Sequence, residues 1–171
     1  MNSQKQQPSQ PKIYEPYILS LQETKVSLSI NQVGDGIKKN LEDSIALKTE
    51  GKCIPQGYVK PASVKIMSYS SGKVNGDRID FVAVYQCDLC FPVEGMLVEC
   101  TCKTTTKAGI HAEVVDSNGN IPIIVFVARD HHINNNAFEN VQEKDRIVVK
   151  VVGTRFELND PNICVIGNLY Q

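Results

Sequence analysis

The sequence predicts an α+β fold in which an antiparallel sheet with one helix is followed by a five-stranded β-barrel. Three observations support this prediction. Only one stretch has apolar residues at helical spacing, namely Ile37, Leu41 and Ile45. Short stretches with two-residue alternation surround it, and those after residue 91 are separated by glycine-rich or polar turns. A helix among strands, followed by strands alone, indicates an α+β protein.

The last stretch, residues 148–169, predicts a closing hairpin. Val149, Val151 and Thr154 alternate with Lys150 and Val152, as in a half-buried strand. Residues 159–162, Asn-Asp-Pro-Asn, form a dense turn signal, and residues 163–169 return as a second apolar strand. Five such strands in about 80 residues are typical of a Greek-key barrel of the OB type.

The first half predicts an extended stretch at residues 13–30, a helix of about three turns, and three further strands. Asp35 is the expected helix N-cap, and Gly51 suits the C-terminal stop. The strands are expected at residues 53–60, 64–69 and 79–89, with a turn at residues 71–77. Residues 1–12, rich in Gln, Ser and Pro, are expected to be a disordered tail. The predicted domains are therefore residues 13–90 and 91–171.

Composition limits the possible functions. The net charge is −1 over 171 residues, and residues 91–171 carry 7 Lys or Arg against 10 Asp or Glu, which argues against a broad nucleic-acid-binding field. No stretch has the roughly 18 consecutive apolar residues that a membrane span needs, and the N-terminus lacks the apolar core of a signal peptide. We expect an intracellular protein without membrane contact.

Two clusters could carry chemistry. Cys87, Cys90, Cys100 and Cys102 could bind zinc or, for the CxxC pair, act in redox chemistry, but the spacing favours buried free thiols, so no metal and no cofactor are expected. Residues 129–132, Arg-Asp-His-His, could hold a metal or a general base. No nucleophile, phosphate-loop or HExxH motif accompanies them, so no catalytic residue and no enzyme are predicted.

Several segments, taken in order, resemble a known family. VGDGIKKNLEDSIALKTEGKC, then a Gly-Tyr-Val strand, and finally VVGTR and VIGNL are similar to the stalk subunits of multisubunit DNA-dependent RNA polymerases, the archaeal E-prime subunit and its eukaryotic polymerase II counterpart. The resemblance extends from about Tyr14 to Leu169. It implies a non-catalytic subunit that supports transcription initiation. Its partners would be the polymerase core, the clamp region and a companion stalk subunit. The Asn-rich run at residues 134–136 suggests a version from a large DNA virus, and the implied location is the nucleus, or host cytoplasm and virion.

The resemblance also implies two sites. The barrel would contact nascent single-stranded RNA weakly, because its charge is negative and its aromatics are few. The candidate RNA-binding residues are Lys103, Lys107, His111, Phe126, Arg129, His131, His132, Lys150 and Arg155. The first domain would dock on the polymerase core through two loops at one end of the molecule, where Val33, Ile54 and Tyr58 are expected to be exposed. The docking candidates are Val33, Gly34, Asp35, Gly36, Ile54, Pro55, Gly57 and Tyr58. The alternatives are a free-standing OB-fold RNA-binding or translation-initiation factor, and a small hydrolase that uses His131 or His132.

Overall fold

A computed structural model describes residues 16–170, and the predicted tail at residues 1–12 lies outside this range. The chain forms an antiparallel sheet with one long helix, followed by a closed five-stranded barrel. The predicted α+β class with an OB-type barrel is therefore confirmed. No helix within residues 16–170 has the length and apolar content needed to cross a membrane.

A long central strand organises the sheet. The elements of this half are β1 (Ile18–Ser29), α1 (Ile37–Thr49), β2 (Cys53–Ile54), β3 (Gly57–Val59), β4 (Lys65–Tyr69), β5 (Lys73–Asn75) and β6 (Arg78–Cys90). β1 pairs with β6 along its whole length, from Ile18 opposite Leu89 to Ser29 opposite Arg78. β3, β4 and β5 share the other side of β6. The predicted strand at residues 53–60 is thus a hairpin, and the predicted turn at residues 71–77 contains β5.

The first core lies between α1 and one face of the sheet. Alternate residues of β6, including Phe81, Ala83 and Tyr85, are buried because a strand directs successive side chains to opposite faces. The helix adds Leu41 and Ile45, as its spacing predicts. The expected cap is wrong, because the N-cap of α1 is Gly36 with φ of 87° and no side-chain capping bond. That backbone conformation suits glycine, whereas Asp35 lies one residue too early. At the other end the last helical residue is Thr49, the C-cap is Glu50, and Gly51 follows with φ of 70°, as expected for a glycine at the helix stop.

The second half closes into the barrel. Its elements are β7 (Leu97–Thr105), β8 (Gly109–Val114), β9 (Ile123–Ala128), the short helix α2 (Asn136–Glu139), β10 (Arg146–Arg155) and β11 (Ile163–Leu169). The order around the barrel is β10-β11-β9-β8-β7, with β7 pairing back to β10. Only the β9–β11 pair of the barrel is parallel. Val125, Val127, Val149 and Val165 point inward and are almost completely buried.

The β2–β3 hairpin contributes to both cores. Ile54 and Val59 pack in the core beneath α1, whereas Cys53 and Tyr58 pack with the barrel residues. The Cys53 N–H donates to Asp160 O over 2.8 Å, and the Asn159 N–H donates to Cys53 O over 2.8 Å. The hairpin is therefore bonded to the β10–β11 loop. The expected division of the chain at residue 91 stays a prediction.

Candidate nucleic-acid interface

The outward face of β8 and β9 carries the two candidate aromatic rings. Val125 and Val127 are fully buried in the barrel, so the alternation of β9 places Phe126 on the outer surface, where it is half-buried. Phe126 is directly opposite His111 on β8, and the ring centroids lie 4.9 Å apart at an angle of 49°. The face of Phe126, which the sequence pattern left open, is thus the outer one.

A cavity of about 310 Å³ lies beside this ring pair. Its lining includes Lys103, His111, Glu113 and Ile124. Lys103 sits where the β7–β8 register shifts between Cys102 and Thr104, and its ammonium forms an ion pair with Glu113. Lys103 therefore contributes little net positive charge for a phosphate group. Glu113 was not among the sequence candidates, although its position two residues after His111 on the same strand places both on one face.

Lys107 and Arg129 lie close together at the end of the barrel formed by the β7–β8 loop and the end of β9. With Thr105 and Thr106 they line an open cleft of about 510 Å³. Arg129 donates to Lys107 O over 3.0 Å and to Thr106 O over 3.3 Å, and it forms a 2.6 Å ion pair with Glu139. Arg129 thus holds the β7–β8 loop against α2. The Lys107 side chain is exposed and makes no ion pair within residues 16–170.

The two adjacent histidines have different roles. His131 is exposed. His132 is only 6% exposed, and its Nε2 accepts a 3.0 Å hydrogen bond from the Leu169 N–H. This bond leaves the ring proton on Nδ1, which donates to Ala128 O over 2.8 Å. The ring also stacks on Phe138 with centroids 5.0 Å apart. The prediction that His132 contacts RNA is therefore wrong, because both ring nitrogens are used within the protein.

Lys150 and Arg155 lie away from the face of β8 and β9. Both are on β10, which is separated from β8 by β7 and from β9 by β11. Arg155 is also 3.8 Å from the Glu157 carboxylate. These two candidates therefore lie outside the face that carries His111 and Phe126. The structure does bring together Lys103, Lys107, His111, Phe126 and Arg129 on adjacent strands and their loops.

The two expected docking loops lie at opposite ends of α1 rather than at one end of the molecule. The helix has 13 residues, which corresponds to roughly 20 Å at 1.5 Å per residue. Residues 34–36 are exposed before its start, next to the half-buried Val33. Beyond its other end, Pro55 is exposed, but Ile54, Gly57 and Tyr58 are buried. Ile54 packs in the core beneath α1, and Tyr58 packs with the barrel residues. The predicted exposure of Ile54 and Tyr58 is therefore wrong.

The four cysteines of the candidate metal cluster are packing residues in the two cores. Cys87 belongs to the core beneath α1, while Cys90, Cys100 and Cys102 belong to the barrel core. Burial raises the pKa of Cys87 to about 11 and the pKa of Cys90 and Cys100 to about 12. These thiols are therefore protonated at neutral pH. In the part of the chain that the structure describes, no group of three or more potential metal ligands comes together.

The fold and this surface define a class of protein: an α+β protein with an OB-type barrel. The outer face of the barrel carries the contacting rings of His111 and Phe126 beside ion-paired side chains. The chain matches no protein-family model. It is 24% identical over 169 residues to a protein of Acanthamoeba polyphaga mimivirus that carries the provisional description of a DNA-directed RNA polymerase subunit. The alignment covers 90% of this chain and 81% of the viral protein, so the similarity includes both the sheet and the barrel.

Proposed function

We propose that this chain is a non-catalytic stalk subunit of a DNA-directed RNA polymerase. The observation that carries the proposal is the similarity to a viral RNA polymerase subunit over 90% of the chain. This similarity supports an RNA polymerase subunit with other polymerase subunits as partners. The stalk assignment rests on two further observations: the order of the sequence segments, and the combination of a helix-bearing sheet with an OB-type barrel.

The end of the sheet farthest from the barrel is the proposed docking surface for the polymerase core near the clamp. We call this the distal end and define it by Ile30, residues 34–36 and Val74. Ile30 is 57% exposed and Val74 is 72% exposed. Exposed apolar side chains next to a polar loop are suited to a buried protein interface. A companion stalk subunit would be a further partner.

The barrel would contact the exiting transcript weakly and support initiation. His111 and Phe126 offer rings on which bases can stack, and Lys107 offers a charge for a phosphate. Affinity would be low because Lys103, Arg129 and Arg155 each have a carboxylate partner. Nucleotide addition would take place in the large polymerase subunits. The chain would follow the polymerase to the nucleus or, if it is viral, to the host cytoplasm and virion.

Co-purification tests this function. A tagged chain expressed in its source cells should recover the two largest polymerase subunits, identified by mass spectrometry. Asp35→Lys at the distal end should reduce that recovery severalfold, whereas Pro55→Lys at the other end of α1 is the matched control and should not. Recovery of ribosomal initiation complexes without polymerase subunits would instead indicate a free-standing factor.

A further inference from the structure

The cavity beside the ring pair contains a carboxylate with unused acceptor capacity. Glu113 Oε1 pairs with Lys103, while Glu113 Oε2 accepts no hydrogen bond from any residue within 16–170. The Glu113 side chain is 18% exposed, so it lies largely inside the surface, whereas Lys103 is 63% exposed. Glu113 and Ile124 are directly opposite each other on β8 and β9. This pair lies two residues along each strand from the pair of His111 and Phe126, and so on the same face. Rings, an apolar wall and a charge pair thus adjoin one another.

This arrangement suits a base rather than a phosphate. The Lys103–Glu113 pair is neutral overall, and the carboxylate would repel a phosphate group. The volume of 310 Å³ corresponds to about ten water molecules, which leaves room for one planar ring system. His111 lines the cavity and can stack on the face of such a ring, as aromatic side chains do with unstacked RNA bases, while Phe126 supports the His111 ring from the opposite position on β9.

We propose that this cavity is a single-base pocket that prefers a base with an exocyclic amine over uracil. The inference rests on the proposed RNA contact and adds base selectivity to it. An ionised carboxylate only accepts hydrogen bonds. Cytosine, adenine and guanine each offer an amino group that can donate to Glu113, and each has an adjacent acceptor for the Lys103 ammonium. The only edge donor of uracil, N3–H, is flanked by two carbonyl oxygens. The Lys103 ammonium can pair with one of these oxygens, but the Glu113 carboxylate repels the other.

The test measures binding of the full chain to ten-nucleotide oligo(C), oligo(A) and oligo(U) at low salt by fluorescence anisotropy. Wild-type protein should bind oligo(C) and oligo(A) about tenfold more tightly than oligo(U), in the range expected for one good base contact. Glu113→Gln should reduce that ratio to about twofold, because an amide both donates and accepts. The matched control is Glu99→Gln, which removes a carboxylate from the Glu99–Arg146 ion pair on the side of β7 that faces β10. It should leave the ratio unchanged.

The outcomes separate the pocket from the RNA contact itself. Equal binding of all three oligonucleotides by wild-type protein, or an unchanged ratio in Glu113→Gln, would overturn the pocket while the RNA contact stands. No binding to any oligonucleotide would overturn both. A second readout uses only wild-type protein and therefore holds even if Glu113→Gln fails to fold. The NMR signals of the His111 ring protons should shift more with cytidine monophosphate than with uridine monophosphate. Equal shifts count against the pocket.

Discussion

The Tyr17 hydroxyl donates a 2.9 Å hydrogen bond to Asp116 Oδ2 and so joins the segment before β1 to the β8–β9 loop. The Lys60 ammonium lies 5.1 Å from the centre of the same Tyr17 ring. Asp116 also accepts hydrogen bonds from the N–H groups of Asn118 and Asn120, which fold the loop around it. This network connects the sheet to the barrel at the same end as the β2–β3 hairpin.

Removing the Tyr17 hydroxyl should weaken this connection. Tyr17→Phe should lower the free energy of unfolding by about 1 kcal/mol, the typical net contribution of a hydrogen bond. Tyr170→Phe is the matched control, because Tyr170 is 40% exposed and its hydroxyl makes no hydrogen bond within residues 16–170. Urea unfolding followed by circular dichroism measures both variants. Equal stability of Tyr17→Phe and wild type would argue against a stabilising role for this bond.

The Asp116 network should make stability depend on pH in the acid range. Partial burial alone raises the pKa of Asp116, but hydrogen bonds from Asn120, Tyr17 and Asn118 outweigh it and hold the pKa below its usual value. Its stabilising contribution is therefore complete above the unfolded pKa near 4 and is lost as pH falls through the lower folded value. Asp116→Asn should be less stable than wild type at pH 7, and the difference should shrink towards pH 2.

The control for the pH experiment is Asp130→Asn, which removes an exposed carboxyl outside the network. Unfolding midpoints at pH 7, 4, 3 and 2 would be compared for the three proteins. Asp80, whose pKa is lowered mainly by a hydrogen bond from Ser27, contributes in the same direction in all three proteins and cancels in the comparison. A constant difference between Asp116→Asn and wild type at every pH would contradict the linkage.

The two histidines should differ in stability. His132→Ala removes two hydrogen bonds and a stacked ring from a buried site, so it should lower the free energy of unfolding by about 2–4 kcal/mol. His131→Ala changes an exposed side chain and should alter stability by less than about 0.5 kcal/mol. Thermal unfolding measures both. Similar midpoints for the two variants would show that the His132 bonds add no net stability.

Tyr58 should matter for folding rather than for polymerase assembly alone. It is 3% exposed in the barrel core, so Tyr58→Ala should cost about 3–5 kcal/mol, as for other large aromatic truncations. Pro55→Ala, at an exposed position of the same hairpin, should change stability little. Denaturant midpoints distinguish the two. A stable Tyr58→Ala variant that no longer co-purifies with polymerase would support the docking role expected from the sequence.

Lys107 should dominate the salt dependence of RNA binding. The Lys103, Arg129 and Arg155 side chains each have a carboxylate partner, whereas the exposed Lys107 has none in the described part of the chain. Lys107→Gln should reduce the slope of log affinity against log salt by about 0.7, the contribution of one phosphate contact to a single strand. Lys150→Gln on β10 is the control and should leave the slope unchanged. Equal effects of both substitutions would mean that RNA contacts the barrel without preference for the Lys107 end.

The faces of the strands were predictable because they depend on local alternation. Phe81, Ala83 and Tyr85 are buried as their spacing indicates, and the same rule pairs His111 with Phe126 once the barrel order is known. β5 was not predictable, because all three of its side chains are exposed and only its pairing with β6 makes it a strand.

The burial of single side chains depends on residues far along the chain. His131 and His132 have nearly the same local sequence, and the difference between them is the N–H of Leu169, 37 residues away from His132. Tyr58 is covered because the hairpin bonds to the β10–β11 loop near Asp160. No local pattern contains this information, so the sequence identified these two segments but not that His132 and Tyr58 are buried in them.

The β2–β3 hairpin contributes side chains to both cores, and this limits how such a protein can evolve by exchange of its two halves. A chimaera joined between Cys90 and Phe91 would take Cys53 and Tyr58 from one parent and the barrel residues that surround them from the other. The part of its barrel core that packs against the hairpin would be mismatched unless both parents carried compatible residues there. The two halves are therefore expected to be inherited together, and substitutions at Tyr58 should be accompanied by compensating changes in the β10–β11 loop.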